Sequence, residues 1–107
     1  MTTRIKRLFP DPIEFEWDDG NSDKNWFRHH VSQIECESVF FNEPLLFRHD
    51  IGHSNIELRY LCLGKTKQSR YLFISFTIRS DKIRIISARD MTQREFQEFN
   101  KYEKENS

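Results

Sequence analysis

Residues 83–89 read Ile-Arg-Ile-Ile-Ser-Ala-Arg, so Arg84 and Arg89 stand in an otherwise apolar strand-like run. Arginine is a poor choice for a strand interior unless an anion meets it. Its rigid fork of donors suits phosphate and carboxylate, and it keeps its charge in a dry site. Arg59 and Arg79 lie in or at the ends of two further strand-like segments, which makes Arg59, Arg79 and Arg89 the leading anion ligands. Regular alternation puts Arg84 on the opposite face from Arg89, so these two are not expected to share a site. Glu57, two residues before Arg59, is a proton acceptor if an apolar wall raises its pKa, or else a salt-bridge partner for Arg59 or another arginine. An imidazole titrates near neutrality, which makes His29 the best candidate acid or base, unless it only satisfies a helix end and its dipole. Together these side chains suit a nucleic acid or an acidic protein surface.

Other chemistries have weaker support. His49 and His53 are four apart, a zinc spacing on a helix, but they fall in a Gly52-containing loop without a third ligand of obvious spacing. Cys36 and Cys62 form no CxxC pattern and read as small buried hydrophobes. There is no G-x-S-x-G and no glycine-rich phosphate loop. Trp26, Phe27 and Phe73 could stack bases, although aromatics at such spacing more often build a core. His30 reads as a solvent-exposed neighbour of His29.

The elements that must position these groups follow from pattern. At 107 residues, 36% hydrophobic and with ten phenylalanines, the chain suits one α+β domain with a modest core. We divide it into a flexible arm, residues 1–12, and a single domain, residues 13–107. Ile13, Phe15 and Trp17 alternate with Glu14 and Glu16, as in a half-buried strand. A short helix is expected from Ser22 or Asp23 to about His29. Ser32-Gln33-Ile34-Glu35 and Thr92-Gln93-Arg94-Glu95 are capping boxes that open two more. Residues 42–55 read as irregular. Strands are expected at residues 56–63, 71–79 and 83–89, joined by short polar connections. The expected order is β-α-α-β-β-β-α, an antiparallel sheet with the helices packed on one face.

Net charge is zero, which argues against a simple polycation, yet its distribution is uneven. Residues 11–23 hold six acids and no base, whereas residues 56–94 hold nine Lys or Arg against three acids. The second half is thus a local basic zone. No apolar run approaches membrane-spanning length and no signal peptide opens the chain, so a soluble cytoplasmic protein is expected.

Several pieces, in order, resemble the BrnT toxins of bacterial BrnT/BrnA modules. Phe15-Glu16-Trp17-Asp18 is similar to the opening F-x-W-D, and Asn25-Trp26-Phe27-Arg28-His29 to N-x-x-[KR]-H. Glu57-Leu58-Arg59-Tyr60 with Gly64 resembles the E-x-R-[YW] strand and its glycine. Thr77, Arg79, residues 84–89 and residues 92–95 resemble the C-terminal signature. The likeness covers residues 13–102. It departs at Asn21, where lysine is usual, at His30, where glycine is favoured, and at Phe99, where tyrosine is common.

The resemblance implies a compact RelE-like fold and an endoribonuclease that cleaves mRNA without metal or other cofactor and arrests translation. It also implies neutralisation by a BrnA-like ribbon-helix-helix antitoxin, through which alone the complex would touch DNA. We expect that antitoxin to cover the basic sheet face. Metal-free RNA cleavage needs a base for the 2′-hydroxyl, an acid for the leaving oxygen and cations for the crowded phosphate. His29, Glu57, Arg59, Arg79 and Arg89 are the expected catalytic residues, and Arg28, Lys82, Arg84 and Arg94 the expected RNA contacts. A non-catalytic antitoxin-binding or nucleic-acid-binding module of the same fold is the alternative.

Overall fold

In the computed structural model, residues 9, 12–50 and 57–106 are described. The elements are β1 (Phe15–Glu16), α1 (Asp19–His29), α2 (Gln33–Phe40), β2 (Leu46–His49), β3 (Arg59–Lys65), β4 (Tyr71–Arg79), β5 (Lys82–Asp90) and α3 (Gln93–Glu105). Among the described residues, capping boxes start all three helices: Asp18 with Asn21, Ser32 with Glu35, and Thr92 with Glu95. The last two were expected. The first uses asparagine instead of Glu or Gln at its third helical position, and it starts α1 at Asp19, ahead of the expected Ser22 or Asp23.

Among the described residues the sheet has five strands in the order β1-β5-β4-β3-β2, and it is mixed, not antiparallel throughout. β1 runs parallel to β5, pairing Phe15 with Ile83 and Glu16 with Arg84. β2, in the segment expected to be irregular, pairs antiparallel with β3. Leu-Phe-Arg-His carries neither clear alternation nor a β-branched residue, so its strand conformation comes from the exposed edge of β3. β3 runs from Arg59 to Lys65, not from residue 56 to residue 63; Ile56 lies outside the described residues.

Helices cover both faces, contrary to the one-sided expectation. The first face carries Tyr60, Cys62, Leu72, Ile74, Phe76, Ile83, Ile85 and Ala88, all buried, beneath Cys36, Val39 and Phe40 of α2. The Phe76 ring sits 5.1 Å from Phe40, 5.5 Å from Tyr60 and 6.1 Å from Phe47. Phe9, inside the expected arm, is 6% exposed and meets Phe40 at 5.5 Å, so it belongs to this core. Apart from Phe9 and Pro12, the expected arm lies outside the described residues. Gly64 lets α2 approach: a Cβ there would stand 2.7 Å from Val39 Cγ1 and 2.8 Å from Leu45 Cδ2.

On the second face, α3 buries Phe99 completely and sets Phe96 and Phe99 at 4.9 and 6.0 Å from the Tyr71 ring. Tyr71 neighbours Leu72 in β4 and therefore points away from the first face. Ion pairs from Arg48 to Glu98 and from Lys65 to Glu103 fasten α3 along β2 and β3. The helix reaches only one half of this face. The other half, around Arg59, Thr77, Arg79 and Arg84, is left open.

Candidate functional site

A β-bulge decides which arginines meet. Ser87 pairs with Ser75 and Ile85 with Phe76, which leaves Ile86 as the extra residue of β5. That residue shifts the alternation by one. Ile83, Ile85 and Ala88 then share the core face, and Arg84 and Arg89 share the other. The expectation that Arg84 and Arg89 point to opposite faces is thereby corrected.

The bulge is held from the side by α1, which continues along the β5 edge where β1 ends. Asn21 Nδ2 donates to the Ile85 carbonyl (3.1 Å) and the Glu16 carbonyl (3.1 Å). The Ala88 amide donates to Asn25 Oδ1 (3.0 Å). Asparagine is a modest helix former, and two of them four apart on one helix are here buried edge-fillers. A lysine at position 21 could not both donate to these carbonyls and accept from the Asp18 amide, as Asn21 Oδ1 does at 2.7 Å.

Register places Glu16, Arg84, Thr77 and Arg59 in one row across β1, β5, β4 and β3. Arg79 pairs with Lys82 in the row beyond. Arg59, Arg79, Arg84, Glu57 and Lys24 line an open cleft of about 270 Å³, whose wall on the α1 side is Gly20 and Asn21. Thr77, buried in the row between Arg84 and Arg59, donates its hydroxyl to the Leu58 carbonyl at 2.6 Å.

Acids of the same chain hold Arg79 and Arg84. Arg79 Nη2 lies 3.2 Å from each oxygen of Glu57, and its Nη1 lies 3.8 Å from Glu16. Arg84 reaches Asp18 at 2.8 Å and Glu16 at 3.1 Å. The bond to Asp18 in particular strengthens the hold of Arg84 on its proton. The Asn21 amide, and then Arg84, keep the Asp18 carboxyl below the usual range. Of the two roles weighed for Glu57, the structure displays the salt bridge, with Arg79 as partner.

The remaining expected site residues lie elsewhere. Arg89 pairs with Phe73, four residues along β4 from Thr77, about 13 Å from the row of Arg84. Its fork grips Glu95 at 2.8 and 3.0 Å, and this bond, before the Thr92 amide, lowers the Glu95 pKa. His29 ends α1, some 15 Å of helix from Asp19, where its carbonyl accepts from Arg70 Nη2 at 3.1 Å. Arg28 and Arg94 are exposed beside these two positions and outside the cleft lining, while Lys82 stands exposed at the rim next to Arg79.

Sequence reasoning missed Lys24, which looks like any surface lysine, and Glu16 and Asp18, whose role emerges only once β1 pairs with β5. It also missed Arg70. This side chain binds Asp90 (2.7 Å from Nε), Glu35 (3.0 Å) and the His30 carbonyl (2.8 Å), joining α1, α2, β4 and β5. Asp90 is thereby held below the usual carboxylate range, first by Arg70, with a lesser contribution from His29.

Trp26 and Phe27 are 49% and 77% exposed, so they are not core. Burial pushes the Cys36 thiol up to about 12 and Cys62 higher still, which leaves both protonated. Among the described residues no three His, Cys, Asp or Glu gather as a metal site; His53 lies outside them. No helix among them is long and apolar enough to cross a membrane.

The family model for BrnT, the ribonuclease toxin of type II toxin–antitoxin systems, matches residues 17–95. That span contains the cleft residues Lys24, Glu57, Arg59, Arg79 and Arg84 and the bulge. The sequence matches no curated protein. An arginine-lined cleft within a match of this extent leads to one assignment: the chain belongs to the BrnT family of type II toxin–antitoxin ribonuclease toxins.

Proposed function

We propose that this toxin is a metal-independent endoribonuclease that cleaves single-stranded mRNA in the open cleft and so arrests translation in the cytoplasm. The supporting observation is the convergence of Arg59, Arg79 and Arg84 from three adjacent strands on one cavity that also contains Glu57 and Lys24. The domain is read as a compact RelE-like nuclease. The chemistry is an in-line transfer: the 2′-oxygen attacks the adjacent phosphorus, the bond to the 5′-oxygen breaks, and a 2′,3′-cyclic phosphate remains.

Glu57 takes the 2′-hydroxyl proton. The guanidinium groups neutralise the charge that builds on the phosphate oxygens, and Lys24 supplies a proton to the departing 5′-oxygen. The resident ion pairs do not block this. Arg79 is 49% exposed and Glu57 32%, and exchanging a solvent-accessible pair for a phosphate costs on the order of 1 kcal/mol or less. The exchange also has a use: when Arg79 turns to phosphate, Glu57 is released as the base. A BrnA-like ribbon-helix-helix antitoxin would neutralise the toxin by covering this half of the sheet, and the pair would contact DNA only through the antitoxin.

A second reading, a module that binds antitoxin without cutting RNA, is favoured by one observation. Arg79, Arg84 and Arg89 each hold an acid of their own chain. The two readings part in one assay, incubation of the purified protein with RNA in excess chelator. Product carrying 2′,3′-cyclic phosphate ends supports the nuclease. Cleavage that appears only on adding a divalent metal, or no cleavage at all, rejects it.

A further inference from the structure

Arg89 was expected to hold phosphate, but its surroundings suit another task. Its charge is already matched by a two-bonded carboxylate, Glu95, at 2.8 and 3.0 Å. Nη1 also donates to the Asp90 carbonyl at 3.1 Å. These bonds fix the plane of the guanidinium along its edge. One flat side rests on the Phe73 ring, 4.1 Å from its centroid, and the side chain is still 34% exposed. A guanidinium so held, backed by an aromatic ring and a third exposed, can offer its other flat side to a planar ligand.

We infer that Arg89 and Phe73 form a stacking platform for one nucleobase of the RNA that flanks the bond held in the cleft. Planar guanidinium groups and aromatic rings are the surfaces on which unpaired bases stack, with little preference for sequence. The position fits. The bulge at Ile86 puts Arg89 on the same face of the sheet as Arg84, beside α3 and about 13 Å from the open half along β4, a gap that a short extended single strand bridges. Phosphate binding and base stacking are thereby divided between two places on one face. The inference rests on the reading of the cleft as an RNA site, and it assigns Arg89 a positioning role with no part in proton transfer.

The test uses binding, so that it does not depend on turnover. Short 2′-O-methyl oligonucleotides of about six residues, which cannot be cleaved, each carry one abasic position, and fluorescence anisotropy measures their affinity for the full chain. In the unaltered protein, one abasic position is expected to weaken binding about tenfold to a hundredfold. In Arg89→Lys, which keeps the cation and loses the plate, the same position should matter less than about twofold.

An unaltered protein indifferent to every abasic position overturns the inference without reference to any variant. So does a drop that persists unchanged in Arg89→Lys. An abasic-sensitive protein that fails to cut RNA leaves the platform standing and removes the nuclease reading. A protein that cuts RNA but shows no sensitive position does the reverse.

Discussion

Lys24 and Asn25 are adjacent in sequence and opposite in duty, and mutating each to alanine separates function from fold. Asn25 is 1% exposed, accepts the Ala88 amide at 3.0 Å and donates to the Asn21 carbonyl at 2.9 Å. Asn25→Ala strands a buried N–H, which costs about 1–3 kcal/mol, and removes a second, weaker bond. Alanine's better helix propensity returns about half a kcal/mol. The expected net loss is about 2 kcal/mol, or a fall in Tm on the order of 10 °C for a domain of this size.

Lys24 is exposed at the cleft wall, and Lys24→Ala should leave stability within about 0.5 kcal/mol. Its loss should instead lower RNA cleavage by about 10²-fold or more. Urea unfolding with an unchanged m-value, read beside the cleavage rate, gives both quantities. If Asn25→Ala unfolds at the same midpoint as the parent, the claim that α1 completes the open edge of β5 is wrong.

Three further predictions follow from particular residues. His30 ends α1 at φ 53°, ψ 41°, left-handed values that glycine adopts without strain, so His30→Gly should raise stability by about 1 kcal/mol in thermal melts. Gly64→Ala brings a methyl against Val39 and Leu45 and should cost about 1–3 kcal/mol by urea titration.

The third concerns acid unfolding. Arg70 lowers the Asp90 carboxyl; at Glu35, burial opposes, and the Ser32 amide together with Arg70 outweighs it. A depressed native pKa contributes stability above the unfolded values of 3.8 and 4.5 and loses it as pH falls through the lower native values. In Arg70→Met the stability curve should therefore start lower at pH 7 and fall less steeply below about pH 4.5. Parallel curves for parent and variant would rule this out.

Much of the fold is legible because its signals are local. Ser32 with Glu35 and Thr92 with Glu95 announce helix starts, and the alternation of Leu72, Ile74 and Phe76 announces a strand with an apolar core face. What escaped depends on partners distant in sequence. β2 exists because β3 offers an unpaired edge, and the parallel pairing of β1 needs Ile83 and Arg84, which lie 68 residues later. The helices were expected on one face, yet α3 takes the second, because its Phe96 and Phe99 show which face of the helix is apolar but not which face of the sheet receives it.

The site shows the same division. Arg59, Arg79 and Glu57 come together as their spacing in β3 and β4 suggests. Arg84 joins them because one extra residue in β5 changes the parity of the strand, and nothing in Ile-Ile-Ser announces a bulge. The buried Asn21 and Asn25 were the available clue, since a helix gains little from asparagine unless its side chain has something to satisfy. The Asn21 departure thus has a structural use, and the His30 departure leaves strain at a helix end.

The central claim is that cleavage takes place in the cleft of Arg59, Arg79 and Arg84 and not at the far end of α1. Initial rates of RNA cleavage in chelator, with Arg59→Ala and His29→Ala beside the parent protein, test it most directly. The account predicts that Arg59→Ala loses about 10²–10³-fold, while His29→Ala stays within about tenfold of the parent. An inactive His29→Ala alongside a fully active Arg59→Ala would contradict it.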